Sequence, residues 1–132
     1  MGNEFLQPPG WAAPKGYSNG VVASGRQVYL AGQIGWNESQ QLVSSAFAAQ
    51  FRQALQNIVT LLAQAGGRPE HLVRLTWFVT NLDEYRAEVK EIGAAYRDVI
   101  GRHYPPMSVV QVVSLVEQGA KVEIEATAVV PD

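Results

Sequence analysis

The sequence contains no cysteine. That absence removes disulfides, thiolate metal ligands and cysteine nucleophiles together, and it fits a reducing cytoplasm, the expected location. Histidine is nearly as scarce: His71 and His103 are the only two and lie far apart, so a histidine-rich metal centre is not expected. Charge is sparse as well. Ten Lys and Arg against twelve Asp and Glu leave a net charge of -2 and a pI of about 5.7, with no broad basic footprint for nucleic acid. No apolar run approaches the roughly 18 residues that cross a bilayer, so neither a transmembrane helix nor a membrane partner is expected. The stretch Met1-Gly2-Asn3-Glu4-Phe5-Leu6 lacks the basic and apolar regions of a secretory leader, and Leu6 stands where myristoylation needs Ser or Thr. Phosphate-binding loop, dinucleotide glycine fingerprint, zinc motif and nucleophile elbow are all missing.

What remains is an ordinary globular composition, 47% hydrophobic and 17% charged over 132 residues. One domain, 1–132, is the simplest division, large enough to bury roughly two-thirds of its unfolded surface. Residues 1–16 hold Pro8, Pro9, Gly10, Pro14 and Gly16 and read as an irregular N-terminal arm. Tyr17 to Ser24 and Gln27 to Gln33 read as two strands turning at Gly25-Arg26, with Gly32 leaving room for a close backbone or ligand. Ser44 or Ser45 is a cap for a helix to about Ala65, whose buried face is Phe47, Phe51, Ala54, Leu55, Ile58, Leu62 and Ala65, stopped by Gly66-Gly67. His71 to Thr80 is a strand, with Val73, Leu75, Trp77 and Val79 on one face. Asn81 to Glu84 resembles a capping box for a helix carrying Tyr85, Val89, Ile92, Tyr96 and Val99 toward Gly101. Strands of about Met107 to Val116 and Lys121 to Val130 close the chain.

This order predicts an α+β domain, with two helices on one face of a mixed sheet. Val109, Val110, Val112, Val113, Leu115 and Val116 show little polar alternation, which predicts a strand buried on both sides. Two helices cannot cover both faces of such a sheet, so homo-oligomerisation through the uncovered face is expected.

Candidates for chemistry are few. Glu123 and Glu125, two apart on a strand, point to one face with Thr127, either as an acid/base site for water or as solvated charges. Tyr17 is a pocket-rim hydrogen bonder or a core-edge residue; Trp36 and Trp77 are pocket walls or core. His103 is a proton shuttle or a loop residue, and Arg74 and Arg102 are anion ligands or solvated charges. Ser108 and Ser114 have no base at motif spacing.

Gly16-Tyr17-Ser18 with Val28 to Gly35, the helix around Gln50 to Ile58 with Ala65-Gly66, Thr76 to Leu82, and Val122 to Ala128 together resemble the RidA/YjgF family, from about Ala13 to Val130. The resemblance implies a chorismate-mutase-like fold and a homotrimer with ligand clefts between subunits. It implies hydrolysis of reactive enamines and imines, such as 2-aminoacrylate, to a keto acid and ammonia without metal or organic cofactor. Carried over, the cleft tyrosine is Tyr17, the cleft glycine Gly32 and the water-positioning glutamate Glu123, with Glu125 in support. Two positions depart. Met107 stands where the family has the arginine that pairs with the substrate carboxylate, and Gly93 stands at its second-helix asparagine. A thioether offers only apolar contact where a guanidinium forks onto a carboxylate. Small 2-imino acids are therefore expected to be poor substrates, leaving a deaminase of altered specificity or a non-catalytic small-molecule-binding trimer. Ribonuclease activity, attached to some members, is disfavoured by the acidic balance.

Overall fold

The structure, a computed structural model, describes residues 2–132; Met1, the first residue of the arm, lies outside the described residues. Its elements in chain order are β1 (Glu4–Leu6), β2 (Gly20–Val22), β3 (Arg26–Ile34), α1 (Phe47–Gln64), β4 (Leu72–Val79), α2 (Leu82–Ala87), α3 (Val89–Val99), β5 (Met107–Gln111) and β6 (Val122–Val130). A single 3-10 turn at Pro69–His71 precedes β4. The main sheet has four strands in the order β3-β6-β4-β5, antiparallel except for the parallel pair β4–β5. That parallel pair requires a crossover, and α2 with α3 supplies it. The α+β class and the helical layer on one sheet face therefore stand, with three α-helices among the described residues instead of two.

Alternation along the strands sorts the two sheet faces. Leu75, Trp77 and Val79 of β4 and Val122, Ile124, Ala126 and Ala128 of β6 are buried toward α1, whose Phe47, Phe51, Ala54, Leu55, Ile58 and Leu62 meet them. Burying each large side chain contributes about 1.5–3 kcal/mol, so this layer is the main stabilising element. Helix α1 begins two residues later than expected, after Ala46; Ser44 Oγ accepts from the Ala46 amide at 2.9 Å, just ahead of the helix. At its other end Gly66, at φ +77°, takes the left-handed turn, and Gly67 N–H returns to Leu62 O at 3.0 Å.

Five expectations are corrected. The arm is not wholly irregular, because β1 lies within it and pairs with β2. Residues 17–24 shorten to Gly20–Val22 and do not form a hairpin with β3: Gly25, at φ +147°, carries the chain between sheets so close to Val130 O that a Cβ would stand 2.3 Å from it. A bulge between Leu72 and Arg74 takes Val73 out of the buried row and puts Leu72 there. The second helix breaks at Glu88, and Glu84, expected to reach back to the cap, instead pairs with Lys121 at 2.8 Å; Asn81 still caps, accepting from Asp83 and Glu84 amides. Finally, β5 stops at Gln111. It is an edge strand whose only neighbouring strand among the described residues, β4, ends at Val79, so among them no ladder runs beyond the Val112-to-Val79 bond. Val113 and Val116 are fully exposed in the single chain, and the expected strand to Val116 is shortened to Met107–Gln111.

Buried Gln50 fastens the layer. Its Nε2 donates to Ser44 O and Gly119 O at 2.9 and 3.0 Å, and its Oε1 accepts from the Lys121 amide at 2.8 Å. Gly35 makes this possible, since a Cβ there would lie 2.4 Å from Gln50 Cα. Among the described residues, no helix is long and apolar enough to cross a membrane.

Candidate functional site

A cavity of about 600 Å³ opens at the β5 edge, between the sheet and α2–α3. Its floor follows from strand register: Met107 pairs with Leu75 and Val109 with Trp77, so Met107, Val109 and Trp77 share the helix-side face. Tyr85, Ile92, Gly93, Tyr96 and Arg97 form the helical wall, and Tyr104 closes one end. The arm brings Lys15, Gly16 and Tyr17 across the opening. Ser18 holds it there: its hydroxyl donates to Tyr104 O and its amide to Pro105 O at 3.3 Å. Thus four sequence-selected residues, Tyr17, Trp77, Gly93 and Met107, meet in one cavity.

Aromatic rings set the cavity's shape. Tyr96 stacks on Tyr104 with centroids 5.4 Å apart, and Trp77 lies 6.2 Å from Tyr85 and 6.3 Å from Tyr96. The Tyr96 hydroxyl donates to His103 O at 2.6 Å, and the His103 ring binds Leu72 O at 2.8 Å, so His103 serves as a tether. Burial, and secondarily the neighbouring Tyr104 phenol, push the Tyr96 pKa far above the ordinary range, so it remains a neutral donor. Among the described residues, the buried Trp77 Nε1 is the side-chain donor left without an acceptor.

Glu123 and Gly32 lie elsewhere. Glu123 points to the helix-free face, paired in register with Ile34 and Phe78. Its carboxylate folds over Gly32, at the β3 irregularity between Leu30 and Gln33: a Cβ on Gly32 would stand 2.1 Å from Glu123 Oε2. Glu125 and Thr127 continue this face beside Tyr29 and Arg74. Trp36 is outside both groups, in the turn bridged to Leu42 and held by Asn57 Nδ2 on its carbonyl at 2.9 Å.

Residues 9–130 match the family model described as endoribonuclease L-PSP. The chain belongs to the RidA/YjgF family. It is 34% identical to the human protein named 2-iminobutanoate/2-iminopropanoate deaminase, over 92% of this chain and 83% of that one. It is 32% identical to the Escherichia coli protein of the same name, over 82% and 83% respectively. Among solved structures, it superposes on the Rid-family protein YyfB from Yersinia pestis with a TM-score of 0.86 and 31% identity, covering 98% of this chain and all of that one. The human and Escherichia coli relatives are thus imine deaminases by name, and the fold is that of the solved Rid-family structure.

Within this RidA-type fold, sequence reasoning missed Ser18, Lys15 and Arg97. A signal existed for the last: Val89, Gly93 and Arg97 recur at intervals of four beside the Tyr85, Ile92, Tyr96 row, which puts them on the same helical flank.

Proposed function

We propose that the protein is a cofactor-independent hydrolytic deaminase of a reactive enamine or imine, working at a site assembled between subunits of a homotrimer. The observation that carries this reading is the division of the site residues between two faces. Tyr17, Met107 and Gly93 gather on the helix side of the sheet, while the Glu123 carboxylate lies over Gly32 on the other side, two strands from β5 for Glu123 and three for Gly32. No rotamer change carries Glu123 through a hydrogen-bonded sheet. A second copy that places its Glu123 face against the β5 edge completes the set, and the homotrimer implied by the family supplies that copy.

The chemistry then balances simply. Glu123 accepts a proton from water as its oxygen adds to the imine carbon, giving a carbinolamine. That proton returns to nitrogen to complete the carbinolamine; the carbinolamine hydroxyl proton then passes through Glu123 to nitrogen as the C–N bond breaks and C=O forms, and a carbonyl product and ammonia leave. Gly32 leaves Glu123 its position over the β3 backbone, and Tyr17 hydrogen-bonds the substrate at the rim. Met107 packs against an apolar part of the substrate in place of a charged one.

A second reading, a binding trimer that has lost chemistry, is favoured by Met107 and by Gly93 at the family's asparagine position; a missing carboxylate anchor costs about 2–5 kcal/mol, or roughly 30- to several-thousand-fold. Purified protein supplied with enzymatically generated 2-iminobutanoate and with bulkier aromatic imines, with ammonia release measured, separates the two. Acceleration of any of them over buffer, with little on the four-carbon substrate, supports the deaminase. No acceleration of any supports the binding protein. A monomer by light scattering overturns the assembled site in both.

A further inference from the structure

In a chain of net charge -2, the charged lining of the β5-edge cavity is entirely cationic: Lys15 and Arg97 reach it, and no Asp or Glu does. Neither cation has a carboxylate in ion-pair range among the described residues, although Asp98, next in sequence to Arg97, is taken by Arg52 at 3.0 Å. The Arg97 guanidinium lies over Gly93, one helical turn back. A Cβ on Gly93 would stand 3.3 Å from Arg97 Nη1, so the bare glycine gives the guanidinium its seat. Below this charge lie the wall residues Tyr85 and Tyr96 and the floor residues Trp77 and Met107, surfaces for a flat apolar body. About 600 Å³ sits within the range of roughly 300–1,000 Å³ used for small-molecule sites, and exceeds what a three- or four-carbon acid fills.

We propose that Arg97, assisted by Lys15, is the anion anchor of this protein, and that the cavity takes an arylalkyl carboxylate whose ring rests on the Tyr96–Trp77–Met107 wall. The charge that binds a substrate carboxylate has moved from the floor strand to α3. That relocation lengthens the distance between anchor and floor and selects a longer, aromatic ligand. As a statement about substrate the proposal rests on the deaminase reading; as a statement about binding it does not.

Titration calorimetry of the full-length protein with 3-phenylpropanoate, its neutral amide and acetate tests the binding without catalysis. The carboxylate is expected to bind at least about ten-fold tighter than the amide, and tighter than acetate, with an advantage that shrinks as salt is raised because both cations are exposed. Arg97→Gln should bring the carboxylate down to the amide's affinity and leave the amide unchanged; Arg97→Lys should restore part of the difference. Unchanged melting temperature in both variants shows that the fold is intact. Equal affinity for carboxylate and amide, an unaltered carboxylate affinity in Arg97→Gln, or no binding of either ligand overturns the proposal. Binding as expected without imine hydrolysis would instead sink the deaminase reading alone.

Discussion

The two faces of the main sheet are built from the same strands and differ in almost everything a ligand meets. The helix-covered face at the β5 edge is an aromatic cavity with only positive charge at its rim. The helix-free face carries carboxylates, Glu123 on Gly32 and Glu125 beside Thr127. Side chains alternate along a strand, so Ile124 and Glu123 occupy opposite sides by geometry alone. From β6 to β5 is two strand spacings, about 10 Å. On the proposed reading, recognition and water chemistry lie on opposite faces, which leaves each subunit incomplete and each half free to change. On that reading Met107 alters the recognition half only, and Glu123 and Gly32 lie outside it.

The largest effect should come from breaking the acidic half. Glu123→Gln keeps shape and removes the base, and should lower turnover by about 10²–10⁴-fold while leaving ligand affinity in the cavity within a few-fold. An equal loss of affinity would show that the halves are not separable. Met107→Arg tests the other side: activity on small 2-imino acids should rise by roughly 30-fold or more if the remaining site is competent. Ammonia release measured on small and aromatic imines reads both variants; a Met107→Arg protein with no gain on either favours the binding reading.

This division was only half legible in the sequence. Period-two alternation placed Glu123, Glu125 and Thr127 on one face and Val122, Ile124 and Ala126 on the other, and the structure keeps that pattern. Alternation says nothing about which strand lies beside which, so the opposition of Glu123 to Met107 across β4 could not be read. Apolar composition also misled: Val113 and Val116 look like strand residues, but the ladder ends where β4 ends. Ser18 escaped because it acts through a tertiary contact, on Tyr104 O, whereas Arg97 over Gly93 is a contact one helical turn apart whose four-residue spacing was there to be read. The family resemblance supplied the positions of Tyr17, Gly32 and Glu123; their grouping needed the coordinates.

A smaller effect sharpens the comparison without deleting any functional group. Gly32→Ala puts a methyl where Glu123 Oε2 now lies, 2.1 Å from the ideal Cβ, and the side chain must swing away. Turnover should fall by about 10–100-fold through misplacement alone, with cavity binding preserved. Thermal stability should stay near wild type, since the displaced group is the end of a flexible side chain. A large loss of melting temperature would mean that Gly32 serves the sheet instead of the carboxylate.

The subtlest test concerns what holds the aromatic half rigid. Tyr96 donates to His103 O, and Tyr96→Phe should cost about 1 kcal/mol at neutral pH. The buried phenol also resists ionisation in the folded state, where its pKa lies above the ordinary 10.0. A group with a raised folded pKa contributes stability that is fully present below the unfolded value and fades as pH climbs through the folded one. Above pH 10 the unfolded chain releases this proton while the folded chain keeps it, so wild type loses up to about 1.4 kcal/mol per pH unit that the phenylalanine variant does not lose. Denaturant unfolding of both proteins from neutral to alkaline pH should therefore give stability curves that start about 1 kcal/mol apart, converge above pH 10 and then cross. Parallel curves would mean that the Tyr96 hydroxyl reaches solvent, and the wall it forms with Tyr104 would then be a mobile surface.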